Sequence, residues 1–415
     1  MAFMLRLNGI RRIYDFPVYW DITCVIYSKR GKKMNVLIVS SNRFPRGDAG
    51  ALREENFAKL IASEGMDVEI VALGPSTNYQ WKTYNDIRYI SFRREKTDLF
   101  SRIIGRLCYY DNLRKLLNKK KYDIFFISSG SNYTIKQLKK YAQNTKAKLF
   151  IDCVEWYSPE QFRVGQFSRA YTSKNTLNTK IIDKEFKVIA ISTYLEKYFK
   201  NKGINTIRVP VILDVANTRY EKKTTEGKIV IMYAGMPGKK DYISDIIAGF
   251  ARLNQEEKEQ CELRLVGITY DDLEKKCGVS NQDISKLGTV IKCYGRVPHQ
   301  QVQDLLQEAD YTVLLRKPNQ RYAKAGFPTK FVESLASGTP VICNLSSDLA
   351  MYIKDGENAI VCSECSPEAM EHSIRKTLQI SFVERNTMQD AARRTAEDYF
   401  DYRKYAEIFG HFLLK

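Results

Sequence analysis

The residues best placed to do chemistry lie between Ala325 and Val341, in the stretch AGFPTKFVESLASGTPV. Gly326 opens a turn, Pro328 suits a first helical turn where its missing N–H is not needed, and Gly338 suits a helix stop. Amides exposed at such a helix start are unpaired donors at the positive end of a dipole, a ready site for an anion. Glu333, five residues into the helix, could hold a polar group beside that anion. A phosphate next to a diol describes a nucleotide. The same residues would also make an ordinary loop–helix–strand unit with a solvated glutamate. Earlier in the chain, GMPGKKD (residues 235–241) offers Gly235, Lys239 and Lys240 in a Gly-containing basic loop, although either lysine alone is more commonly a solvated surface charge. Asp152 and Glu155 follow an apolar run, where parallel sheets place their ligands. For Glu155 a structural hydrogen bond at a strand end is an equal alternative.

The elements needed to position these groups are legible as a repeated strand–helix rhythm. From Met34, MNVLIVSS reads as a buried parallel strand, NRFPRGDAG as a loop, LREENFAKLIASEG as a helix and DVEIVAL as a second strand. That is half of a doubly wound fold. The loop carries Gly47 and Gly50 but not the GxGxxG spacing, so a dinucleotide site is unsupported. YDIFFISS, KLFIDCVEW and KVIAIS continue the rhythm, and KIVIMYAG, CELRLVGI, VIKCYGRV, DYTVLLRK and NAIVCS restart it. The expected organisation is an N-terminal extension over 1–33, a Rossmann-like domain over 34–212, a polar linker over 213–227, a second Rossmann-like domain over 228–395, and a C-terminal helix over 396–415 packing back on the first domain. A cleft between the two sheets would hold the ligand. Residues 1–33 either lie on a membrane surface or precede a biological start at Met34, and the second reading is favoured.

Charge is unevenly placed. Of the net +18, residues 1–210 carry 38 Lys and Arg against 19 Asp and Glu, and the remainder 28 against 29. Residues 101–121 put Arg102, Arg106, Arg114, Lys115 and Lys119–Lys121 around a helical apolar spacing, which suggests an anionic membrane surface as partner. No nucleic-acid-binding motif or stacking platform accompanies them, so nucleic acid is not expected. Cysteines are scattered, and His299, His372 and His411 are far apart, so a metal centre is not expected either.

From roughly Met34 to the C-terminus, and most specifically over 229–362, the chain resembles retaining glycosyltransferases of the GT-B fold, similar to family 4 (group 1) and to its bacterial capsule and surface-polysaccharide members. The resemblance implies an α/β fold of two Rossmann-like domains facing each other across a cleft. Gly326 and Phe327 match the family's glutamate–glycine–phenylalanine turn, and Glu333 matches the glutamate that binds ribose hydroxyls. Ala325 stands where the family has the glutamate that contacts the transferred sugar, and Lys330 or Lys324 would then meet the sugar or phosphate. Lys240 matches a lysine that clamps the donor diphosphate; Met236 replaces the accompanying arginine, with Lys239 a substitute, though a point charge is not equivalent to a planar fork. Arg296 and Val297 fall where the family holds the base, and Gly47 to Gly50 where an N-domain loop approaches donor and acceptor. Thr329 and Gly235 complete the expected donor site.

The resemblance therefore implies a metal-independent hexosyltransferase with no cofactor beyond its nucleotide diphosphate sugar. It would transfer to a lipid-linked or growing saccharide acceptor in surface polysaccharide biosynthesis, working in the cytoplasm and peripherally at the inner face of the cell membrane. Catalytic candidates are Lys240, Lys330 and Glu155. The alternatives are a catalytically silent GT-B partner in a membrane-associated assembly complex, for which Ala325 and Met236 argue, and a GT-B nucleotide-sugar epimerase.

Overall fold

The computed structural model describes residues 33–45, 49–74, 77, 80–93, 99–222, 226–236 and 240–414, with the side chains of 93–107 outside that description. The basic leader, Gly47 and Lys239 lie outside the described residues. Two sheets organise the rest. The first contains β1 (Asn35–Arg43), β2 (Asp67–Gly74), β3 (Lys82–Tyr84), β4 (Ile87–Arg93), β5 (Ile124–Ile127), β6 (Lys148–Cys153), β7 (Phe186–Ala190) and β8 (Thr206–Arg208) in the order β3-β4-β2-β1-β5-β6-β7-β8. The second contains β9 (Ile229–Ala234), β10 (Cys261–Val266), β11 (Ile291–Gly295), β12 (Tyr311–Leu314), β13 (Val341–Cys343) and β14 (Ala359–Val361) in the order β11-β10-β9-β12-β13-β14.

Among the described residues, all strand pairings are parallel except β3 with β4. That antiparallel pair turns through Asn85 and Asp86, both at positive φ, which suits the two-residue turn a hairpin needs. The parallel strands are continuous apolar runs because helices cover both faces; Val36 to Val39, Ile124 to Ile127 and Ile231 to Tyr233 are all buried. Strand order reverses beside β1 in one sheet and beside β9 in the other, which creates the two crevices where such sheets take ligands. The molecule is thus α/β with two Rossmann-like sheets, the GT-B arrangement.

The helix Thr329–Ala336 buries Phe331, Val332, Leu335 and Ala336. Pro328 caps it from outside rather than occupying its first turn. Gly338 ends it at φ +71, where its amide donates to the Leu335 carbonyl at 2.9 Å and a side chain would lie 2.2 Å from the Tyr220 ring. The helix face feeds a core that runs without a break from the first sheet, through Val211, Leu213 and Val215, to Phe327, Phe331 and Phe400. The last helix, Ala406–Leu414, places Phe409 against Phe57 at 5.4 Å between ring centroids and Phe412 against Phe150 at 5.6 Å. It therefore lies on the first sheet.

Candidate functional site

The donor-side residues gather around the loop that leaves β9. Gly235, at φ +151, leaves room there that no other residue would: a Cβ would sit 2.3 Å from Lys330 Nζ. Asp241 closes the loop and is its electrostatic anchor. Its carboxylate receives Lys330 Nζ at 2.7 Å, Arg316 Nε at 2.8 Å and the Tyr233 hydroxyl at 2.9 Å. Burial pushes this carboxyl up, but the Arg316 and Lys330 charges outweigh that and hold it well below the usual range. Lys330 also donates to the Tyr233 oxygen at 2.7 Å and stands 4.1 Å from that ring's centroid. Burial draws its ammonium below the ordinary lysine range, against the pull of Asp241.

Glu333 follows Lys330 by one helical turn. Half-buried and without a hydrogen-bond partner in the helix–strand unit, its carboxyl is pushed up to about 7 by burial, with Lys330 pulling the other way. Glu333 and Lys330 line a cavity of about 600 Å³ together with His299 and Gln300 from the second sheet's side and Glu55 and Asn56 from the first. A carboxylate held back from water and a restrained ammonium, one turn apart on the same wall, can together receive a vicinal diol and a phosphate.

A second cavity, of about 480 Å³, opens at the switch point of the first sheet. Ser41, Ser128, Ser129, Glu155, Arg169 and Lys174 are on its walls. Glu155 joins the two regions. Its Oε2 accepts from Lys240 Nζ at 3.1 Å, and the Tyr157 hydroxyl donates to its other oxygen. Burial raises the Glu155 carboxyl, but Lys240 and then Lys174 bring it below the ordinary value. Lys240 also stands 5.4 Å from the centroid of the Tyr157 ring.

Several expectations change on this evidence. Phe327 does not face a ligand; it is 6% exposed, packed edge-on against Tyr352 at 5.7 Å, because the turn tucks it into the core between the sheets. The Gly326 amide is not open to an anion, since it donates to the Tyr322 carbonyl at 3.0 Å. Ala325 is fully buried, and its carbonyl accepts from the Ser192 hydroxyl at 2.8 Å. Asp152 lies within β6 rather than beyond it, and Arg53 neutralises it in a two-pronged pair at 2.7 and 2.9 Å.

Arg296 and Val297 occupy the turn after β11 but do not line the large cavity; the next turn, with His299 and Gln300, does. Lys324 is exposed on the short helix Arg321–Ala325 and lines neither cavity, and Thr329 begins the Glu333 helix. Gly50 sits in the first turn of the helix Ala49–Ser63, whose later residues Leu52, Glu55 and Asn56 reach the cavity. Sequence reading passed over His299, Asn56, Arg169, Lys174 and the serine cluster. The run Ser128-Ser129-Gly130-Ser131 directly after an apolar strand was the available signal.

The glycosyl transferases group 1 family matches residues 214–395, which hold the Gly235 loop, Lys330 and Glu333. That match is confined to the second of the two halves. An uncharacterized glycosyltransferase of Methanocaldococcus jannaschii is 20% identical over 253 residues, covering 58% of this chain and 62% of that protein. Sucrose-phosphate synthase from Thermosynechococcus elongatus shares the fold at a TM-score of 0.71 and 14% identity, over 91% of this chain and 98% of that one. Anabaena HepE in complex with UDP and glucose does so at 0.67 and 14%, over 92% and 99%. The likeness to group 1 thus covers the second half, and most of the chain matches these structures at the level of fold.

Proposed function

We propose that the chain is a retaining glycosyltransferase that moves a hexose from a nucleotide diphosphate sugar to a lipid-linked or growing saccharide acceptor. The observation that carries this reading is the pairing of Glu333 with Lys330 on the wall of a cavity shared by both halves, beside a Gly235 loop shaped to admit Lys330. Anabaena HepE, of the same fold, binds UDP and UDP-glucose, which supports a nucleotide-sugar donor.

In this reading Glu333 accepts the ribose hydroxyls, and Lys330 and Lys240 meet the diphosphate. The bond from the sugar's anomeric carbon to the phosphate oxygen breaks, and its electron pair stays on the departing nucleoside diphosphate. Lysine cations already in place stabilise that growing charge without a metal. The acceptor oxygen bonds to the same face of the anomeric carbon, and its proton passes to the departing phosphate oxygen. Surface polysaccharide synthesis at the inner face of the cell membrane is the setting that fits the basic first half; no described helix is long and apolar enough to cross a membrane.

The buried Ala325 favours a second reading, a silent GT-B partner, because no carboxylate is available where the family contacts the transferred sugar. Release of nucleoside diphosphate from a panel of nucleotide sugars and acceptors separates the two. No release with any pair sinks the enzyme reading, and a product of inverted anomeric configuration sinks retention.

A further inference from the structure

The cavity at the first sheet's switch point has a directional floor. Glu54 lies beneath it, and one of its carboxylate oxygens receives the Ser40 hydroxyl at 2.5 Å, the Asn42 side-chain amide at 2.6 Å and the Ser128 hydroxyl at 2.7 Å. Ser41 donates its hydroxyl to Ser129 Oγ at 3.1 Å, and Ser129 also accepts from the Ser41 amide at 2.9 Å. With both lone pairs of Ser129 occupied, its own proton goes to Ser40 Oγ at 3.3 Å. The hydroxyl protons of Ser128 and Ser41 are therefore spent within the cluster, on Glu54 and on Ser129. Ser41 and Ser128, which line the cavity, are left with lone pairs only to present to it.

A ligand on that floor must donate hydrogen bonds. An ionised carboxylate has no proton to give there and a free hydrogen phosphate has only one or two, whereas a sugar ring carries several hydroxyls. The rest of the lining has the reverse bias. Its acids are already matched, Asp152 by Arg53 and Glu155 by Lys240. Its cations are matched less closely: Lys174, half-buried, acts on Glu155 only across space, and neither it nor Arg169, exposed, forms a contact ion pair with any described carboxylate.

We infer that this cavity binds a saccharide carrying an anionic group, with ring hydroxyls donating to Ser41 and Ser128 and the anion, a carboxylate or a phosphate, set against Lys174 and Arg169. This rests on the transferase reading only in taking the ligand to be the acceptor; the hydrogen-bond directions and the less closely matched cations stand apart from it. Glu155, between this cavity and Lys240, would place one acceptor hydroxyl toward the donor side.

The test titrates the full chain, by saturation-transfer NMR, with methyl glycosides of glucose, galactose and mannose, their uronic acids, their 6-phosphates and inorganic phosphate. At least one anionic glycoside should bind about tenfold or more tighter than its neutral parent, a single charge-assisted bond's worth. Whether the uronic acid or the 6-phosphate is preferred identifies the source of the anion. Lys174→Ala and Arg169→Ala should each reduce that preference, and Ser128→Ala should weaken neutral and charged forms of the sugar alike. Arg169 is exposed, so its variant reports even if Lys174→Ala fails to fold.

Equal binding of neutral and anionic glycosides, a preference that survives both cation variants, or inorganic phosphate binding as tightly as the sugar phosphate would each overturn the inference. UDP and UDP-sugar titrations on the same samples keep the two proposals separate. Donor binding without an anionic preference rejects only this one, whereas an anionic preference without donor binding rejects only the donor assignment.

Discussion

Glu333 sits near the point where its protonation matters at working pH. Its carboxyl is raised by burial from the ordinary 4.5 to about 7, so the folded protein keeps a proton there that the unfolded chain has lost. The sign follows directly: no cost arises below about pH 4.5, the cost grows as pH rises toward 7, and it is constant above. Glu333→Gln should therefore be more stable than the parent at pH 8 and equal to it at pH 4, read from denaturant midpoints. The same variant should bind nucleotide more weakly by about 1–3 kcal/mol through loss of charge-assisted bonds to the ribose, measured by calorimetry at pH 8. Parent affinity for nucleotide should rise with pH through about 7, and the variant's should not.

At this scale the sequence is informative where local spacing decides, as with Glu333 five residues into its helix. It is not informative for Phe327 or Ala325. Their burial depends on Tyr352, Phe400 and Ser192, partners remote in sequence.

The loop after β9 is the element on which the donor site depends. Gly235→Ala adds a methyl group 2.3 Å from Lys330 Nζ at a φ that side-chain-bearing residues rarely adopt, so it should cost about 1–3 kcal/mol of stability. It should also reduce donor turnover more than acceptor affinity, since it displaces Lys330 but leaves the serine floor untouched; steady-state kinetics with each substrate varied would show the split. The strand–helix alternation was readable because buried parallel strands are apolar on both faces. The β3–β4 hairpin went unread, its Asn85-Asp86 turn being the cue, since two short strands at a sheet edge lack an apolar run.

Across the whole molecule, the two halves are tied by polar as well as apolar contacts. Asp348, in the second half, accepts from the Thr193 amide and hydroxyl, each at 2.8 Å, and from Arg208 at 3.1 Å. Asp348→Ala should lower stability by about 1–3 kcal/mol, because it strips partners from groups already withdrawn from water; urea midpoints would measure it.

The basic patch over 101–121 is less bare than its composition suggests. Asp111 pairs with Arg114 and Lys115, and Glu69 with Lys120. Lys119 and Lys121 remain exposed, and replacing both by Ala should weaken salt-sensitive binding to anionic vesicles by about 1 kcal/mol per lysine, read by co-sedimentation. Undiminished binding would place the membrane contact elsewhere. The pairing of Glu69 with this patch is hidden from a charge count because that carboxylate lies on β2, whereas Asp111 lies within the patch, three and four residues from its partners.

The apolar core that passes without a break from the first sheet to the Glu333 helix has a consequence for how the protein can be taken apart. Residues 228–395 expressed alone would bare Phe327, Phe331 and Phe400's neighbours to water, and the first half alone would lose the cover of Ala406–Leu414. Neither half is a self-sufficient folding unit, so heating should give one transition rather than two, and a protease cut in the 213–227 connection should leave the fragments associated until that transition is reached.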